Sequence, residues 1–140
     1  MINIELVKKS FDRCAAKGDI ISDFYDIFLE SHPDISPQFA NTNFIQQKKL
    51  LLQGLDLTIM FATDEPVGKI GINRIKKSHC KTALNITPEL YPYWKQSLLR
   101  AISELDPEFS DKLKEQWELV LQKSIDYIIS GYEEHPPATA

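Results

Sequence analysis

Only two cysteines, Cys14 and Cys80, occur in the 140 residues. Two thiols are too few for a disulfide framework. There is no Gly-rich phosphate loop, no cysteine cluster at metal spacing and no nucleophile elbow, which removes the commonest nucleotide, zinc and hydrolase sites. No apolar run is long enough to cross a bilayer. The longest, Leu50 to Ala62, is interrupted by Gln53, Gly54 and Asp56. Met1 to Phe11 mixes charged and apolar residues and carries no signal-peptide core. Positive charge is not in excess: sixteen Lys and Arg face twenty Asp and Glu, a formal charge of -4. That balance argues against a nucleic-acid backbone as main partner. Repeats and low-complexity tracts are absent, and no segment alternates as a strand would. We therefore expect a soluble, cytoplasmic protein with neither membrane nor nucleic acid as partner.

What is present is a globular composition, 43% hydrophobic and 26% charged, at a length that suits one domain. The apolar period is helical nearly throughout. Ile4, Val7, Phe11 and Cys14 mark a first helix that Gly18 breaks. A second is expected over 20–31, closed by His32-Pro33, because the residue before proline leaves the α region. Pro33 to Phe39 has room for one helical turn. Asn43 is a natural N-cap for a third helix reaching about Ala62. Its inner face would carry Phe44, Gln47, Leu51, Gly54, Leu55 and Thr58. A basic segment follows, with Ile70, Ile72, Ile75 and His79 among Lys69, Arg74, Lys76 and Lys77. Thr87-Pro88-Glu89 reads as a helix start running to about Leu105, and Asp106-Pro107 as the start of the last helix. Residues 1–134 form the expected domain and 135–140 a flexible tail. The fold class is all-α.

Four polar or aromatic residues on these faces have chemical potential. His79 stands four residues after Ile75, on one helical face. Its imidazole suits a transition metal, or it is a hydrogen-bonded surface histidine. His32, before a proline, and His135, in the tail, are structural or solvated. Tyr25 places a hydroxyl on an apolar face, where it needs a partner or solvent. Gln47 is the one polar residue in the Phe44–Leu51 stripe. It is either a buried, bonded amide or a boundary residue. Phe39 follows Pro37 in a corner and is otherwise ordinary core.

Taken together, these residues resemble a family. Phe24-Tyr25-x-x-Phe28-x-x-x-His32-Pro33-Asp34-Ile35-x-Pro37-x-Phe39 resembles the second-helix-and-corner signature of bacterial globins. Thr42-Asn43-Phe44-x-x-Gln47, Leu51, Ile75-x-x-x-His79 and Pro88-Glu89-Leu90-Tyr91 follow in the order of flavohaemoglobin globin domains. The resemblance spans roughly residues 3 to 134. It implies a three-over-three helical sandwich around haem b (iron protoporphyrin IX). It also implies His79 as proximal iron ligand, Phe39 packed on the haem, and Tyr25 and Gln47 as distal hydrogen-bonding residues. Leu51, Ile75, Tyr91 and Trp94 would complete the cofactor pocket. Gln46 competes with Gln47 as the distal amide. The Gln47 register is preferred because it turns Gly54 and Leu55 inward. The family pairs the tyrosine at position 91 with a glutamate late in the last helix, here Glu133 or Glu134. Tyr25, Gln47, Lys48 and Lys49 are conceivable sixth ligands in the ferric state. Cys80 reads as structural.

Ligands implied by the resemblance are O2, NO and CO. A distal pair that donates hydrogen bonds favours tight O2 binding, and O2 held that way suits oxidation of NO to nitrate. No flavin or nicotinamide domain is expected here, so such an activity would need an external reductase. Arg74, Lys76, Lys77 and Lys81 either meet the haem propionates or that reductase, or form a solvated basic face. The alternatives are a haem-based gas or redox sensor acting through a partner, and a globin-fold interaction module without haem.

Overall fold

The computed structural model describes residues 1–133. Glu134, His135 and the expected tail lie outside the described residues. Six α-helices follow one another: α1 (Ile4–Lys17), α2 (Ile20–Phe28), α3 (Phe44–Ala62), α4 (Pro66–His79), α5 (Tyr91–Leu105) and α6 (Asp111–Ser130). Single 3-10 turns occur at Ser36–Phe39 and Pro88–Leu90. Among the described residues there is no strand, and no helix is long and apolar enough to cross a membrane.

Local chemistry explains most of the boundaries. The Asp19 carboxylate accepts from the Ser22 amide at 3.1 Å. Asn43 accepts from the Ile45 and Gln46 amides. Each satisfies donors that a helix start leaves open. Pro66 opens α4, where its missing N–H costs nothing.

Three boundaries differ from expectation. Helix α2 stops at Phe28, and Leu29 to Ser31 continue as a tighter turn, with the Glu30 amide on the Ile27 carbonyl and the Ser31 amide on that of Phe28. The Thr87 side chain caps nothing, so Pro88 opens only a 3-10 turn before α5 begins at Tyr91. The last helix starts at Asp111, capped by Ser110, whose hydroxyl accepts from the Leu113 amide at 3.2 Å. Asp106 is not its start.

Asp106 is buried, and its carboxylate is engaged elsewhere. Arg13 donates to it at 2.6 and 3.0 Å, Ser10 at 2.6 Å and the Glu108 amide at 2.9 Å. The Trp117 indole N–H donates in turn to Ser10 at 3.0 Å. This polar knot ties α1 to the α5–α6 corner and to α6.

Helices α1, α3 and α4 stack over α2, α5 and α6. The main core joins Val7, Phe24, Leu98, Ile102, Trp117 and Leu121, none more than 1% exposed. A second cluster, Phe61, Ile72, Tyr91, Ile125 and Ile128, lies under α4. Trp94 packs against both.

Helix α4 packs tightly on α3 at two glycines. A Cβ at Gly68 would lie 2.5 Å from the Phe61 nitrogen and 2.8 Å from the Met60 carbonyl carbon. At Gly71 the obstacle is the Leu57 side chain, at 2.5 Å. Backbone cannot step aside, but a leucine can change rotamer. Gly68→Ala should therefore cost about 1–3 kcal/mol as an overpacking substitution. Gly71→Ala should come out near neutral, because the helix-propensity gain of about 1 kcal/mol offsets the adjustment. Urea unfolding of both variants checks the contrast.

Candidate functional site

Tyr25 lies on the inner face of α2 and is 4% exposed. Its ring is held by aromatic edges, with Phe39 at 5.9 Å and Phe44 at 5.6 Å between centroids. Phe39 and Phe44 stack on each other at 6.0 Å with a 26° tilt. The corner after α2 and the start of α3 thus form one aromatic wall. Gln47, one turn into α3, donates its amide to the Tyr25 hydroxyl at 3.2 Å. Gln46 is exposed.

The α3 stripe carrying Gln47 and Leu51 continues to Gly54 and Thr58, at spacings of four, three and four. A Cβ at Gly54 would lie 3.9 Å from Ile75 Cδ1. Ile75 stands one turn before His79, so the stripe leads directly to the histidine-bearing end of α4. Phe39, Phe44, Leu51, Ile75, Ile86 and Trp94 are all half-buried, so each leaves part of its apolar surface uncovered.

His79 is the last residue of α4. The Ser78 hydroxyl spends its proton on the Ile75 carbonyl at 2.9 Å. It also lies 2.9 Å from His79 Nδ1. A hydroxyl that donates to that carbonyl can only accept at Nδ1, an arrangement that favours the histidine proton on Nδ1. Nε2 is then the bare, ligand-competent nitrogen. Burial pulls the His79 pKa below its usual value, opposed by the backbone carbonyl of Ile75, and the neutral, metal-binding form prevails. Burial raises the Tyr25 pKa, against the Gln47 bond, so the phenol keeps its proton.

The end of α4 is clamped by the loop that follows. The Leu84 amide donates to the Ser78 carbonyl, and the Ile86 amide to that of His79. Asn85 takes a left-handed turn at φ 54 and accepts from the Tyr132 hydroxyl at 2.6 Å. The segment between His79 and Pro88 is thus folded back onto the helix end. Cys80 is buried, with its sulfur 3.5 Å from the Thr82 hydroxyl.

The expected proximal pair does not form with Glu133. That residue is exposed past the end of α6, 3.8 Å from Lys81. Glu134 lies outside the described residues. Tyr91 is buried, and its hydroxyl bonds to none of the described residues; burial alone pushes its pKa up. Trp94 meets Phe24 edge-on at 6.1 Å. Lys48 donates to Ser22 at 3.0 Å, while Lys49 is exposed. Phe44 and Ser78 were not assigned to the site from sequence. Phe44 was legible as an inward residue of α3. Ser78 had no signal, because its role depends on the hydroxyl rotamer.

The donor set suits a metal that arrives already held. Among the described residues no three His, Cys, Asp or Glu gather to bind a bare ion. One neutral imidazole, partly uncovered apolar side chains and a phenol–amide pair on neighbouring helices fit an iron porphyrin, which needs a single axial ligand and flat apolar walls.

Comparisons with known proteins agree. A globin family model matches residues 22–128. The flavohemoprotein of Oceanobacillus iheyensis is 31% identical over 135 residues. That match covers 93% of this chain but 32% of the relative, so the chain spans about a third of that protein's length. A crystal structure from Pseudomonas aeruginosa, of a protein described as structurally highly homologous to a human hemoglobin, superposes with a TM-score of 0.87 at 35% identity. The alignment covers 92% of this chain and 97% of the other. The family match runs from α2 through the aromatic corner and the His79 helix into α6, and with the helix order and the histidine it leads to one conclusion: the chain belongs to the globin family, whose membership implies haem as cofactor.

Proposed function

We propose that this globin holds haem b on His79, binds O2 tightly, and oxidises NO to nitrate with electrons from a separate cytoplasmic reductase. Phe39, Leu51, Ile75, Tyr91 and Trp94 would line the cofactor. Haem would supply a redox-active iron able to take O2, NO or CO. The chain's own residues do the rest. Ser78 and the Ile75 carbonyl favour the His79 proton on Nδ1, leaving Nε2 for the metal. The aromatic wall fixes the Tyr25 ring and excludes water from it.

The observation that carries the reading is the direction of the Tyr25–Gln47 bond. Gln47 donates and Tyr25 accepts. The phenol proton is therefore unspent, and an accepted hydrogen bond makes it a better donor. NO, O2 and one electron make nitrate, so each turnover consumes one electron from outside.

The test is the absorbance of the purified, haem-reconstituted protein in ferric, ferrous and CO-bound states, beside His79→Ala. We expect a histidine-ligated CO spectrum that the variant loses. The wild type should then consume NO under air when a flavin reductase and NADPH are supplied. Absence of stoichiometric haem would overturn the whole reading. Normal haem with no NO consumption would leave ligand binding and remove the catalysis.

A further inference from the structure

We propose that the outer face of α4 is the docking surface for the electron donor, and that the donor is a net-negative redox protein. The inference rests on the haem reading above and deepens it by giving the partner a surface and a charge.

Helix α4 turns Gly68 and Ile72 inward. It meets α6 through Asn73, which accepts from the Tyr127 hydroxyl at 3.1 Å, and through Lys76, 4.6 Å above the Tyr127 ring. The side left over carries Val67, Ile70, Arg74 and Lys77, at spacings of three, four and three, and all four are exposed. Val67 and Ile70 are 62% and 59% exposed. Lys81 and Leu84, in the loop that follows, are also exposed.

The charge of this segment is opposite to that of the chain. Between Pro66 and Pro88 stand Lys69, Arg74, Lys76, Lys77 and Lys81, with no Asp or Glu, in a protein of formal charge -4. Lys69, Arg74 and Lys77 pair with no carboxylate among the described residues. Their field is therefore directed at solvent rather than cancelled within the fold.

An apolar spot beside a row of cations is the complement of an acidic protein surface with an apolar centre. A second copy of this chain would bring the same cations and be repelled. Anionic lipid would meet only Val67 and Ile70 as inserting side chains on the helix, against the continuous apolar face that interfacial helices present. The position suits electron delivery. His79 ends this same helix, so a partner that covers Lys77 stands about one helix diameter, about 10 Å, from the imidazole at that end of the strip. In the transfer the donor loses one electron and the ferric iron gains it, with no bond made or broken.

The test uses the haem-loaded protein and a flavodoxin of strongly negative charge as probe. Binding of the oxidised flavodoxin is read by amide NMR of this chain. Reduction of the ferric protein by the reduced flavodoxin is read by absorbance. Two net-negative proteins without a complementary patch repel, and their reaction speeds up as salt screens them. Docking on α4 predicts the opposite sign, a fall of about tenfold between about 0.02 and about 0.3 M salt. Shifts should centre on residues 67–84. Arg74→Glu with Lys77→Glu, compared at equal haem content, should abolish the shifts and reverse the salt dependence. Val67→Ser with Ile70→Ser should weaken binding while leaving the salt dependence in place. A rate that rises with salt, or a charge-reversal variant that behaves as wild type, overturns the proposal. So does binding of phosphatidylserine vesicles through Arg74 and Lys77 without binding of flavodoxin. Failure to hold stoichiometric haem sinks the haem reading, and this proposal with it; a normal haem spectrum without salt-sensitive docking sinks this proposal alone.

Discussion

Tyr25→Phe is expected to lower O2 affinity about ten- to a hundredfold and to leave CO affinity within about threefold of wild type. The figure follows from a hydrogen bond to a charged group, worth about 1.5–3 kcal/mol, at about 1.4 kcal/mol per tenfold. O2 draws electron density from ferrous haem far more than CO does, so only O2 gains much from a donated proton. The substitution is clean because the ring packs through its edges on Phe39 and Phe44 and keeps those contacts as phenylalanine. Only the oxygen that Gln47 bonds is removed. The loss should appear in the O2 dissociation rate, measured by stopped-flow displacement with CO. Gln47→Leu should move O2 in the same direction by less, since it removes the bond that strengthens the donor and leaves the donor in place. Equal losses for O2 and CO would point to a collapsed pocket and would refute the hydrogen-bond account.

The second large effect concerns stability. Asp106→Ala should destabilise the fold by about 3 kcal/mol, the lower end of the cost of removing one partner of a buried ion pair. The lower end applies because the Arg13 side chain is 26% exposed and can recover some hydration, whereas the Asp106 side chain is fully enclosed. Ser10 would lose its acceptor, and the Trp117 indole would bond to an untethered hydroxyl. For a chain of this length the midpoint of thermal unfolding should fall by roughly 10 °C.

The pH dependence has a definite sign. Burial raises the Asp106 pKa, but the bonds from Arg13, Ser10 and the Glu108 amide outweigh it and leave the pKa below the usual value. The unfolded carboxyl titrates near pH ~3.9. The stabilisation is therefore complete above about pH 4 and is lost as pH falls through the lower, folded value. Urea unfolding of wild type and Asp106→Asn at a series of pH values should show a gap that is constant near neutrality and narrows below about pH 4. A gap independent of pH would assign the effect to packing alone.

These two residues also separate what local sequence reveals from what it hides. Tyr25 and Gln47 both lie on apolar stripes whose helical period is plain. Choosing Gln47 over Gln46 is a rotation of about 100° about α3. The preference for Gln47 came from the small residue at Gly54, four positions after Leu50 and three after Leu51, and the contact with Tyr25 is the feature that gives that rotation a purpose. Asp106 was misread because Asp-Pro is a good helix start by local rules. Its carboxylate was claimed instead by Ser10 and Arg13, more than ninety residues away in sequence. Ser110 then capped α6 in its place. Glu133 does not partner Tyr91 because α6 ends at Ser130, and Glu133 lies in the turn beyond it, 3.8 Å from Lys81.

The linear chain was sufficient for the helical class, the capped start of α3, the break at Gly18 and the helical spacing of Ile75 and His79, because each depends on neighbours within about four residues and on hydrophobic period. It carried no information on the direction of the Tyr25–Gln47 bond or the burial of Asp106. Those were decided when distant helices met. A polar group's partner is then chosen by position in space, and a buried donor or acceptor left unpaired costs more than any local preference supplies.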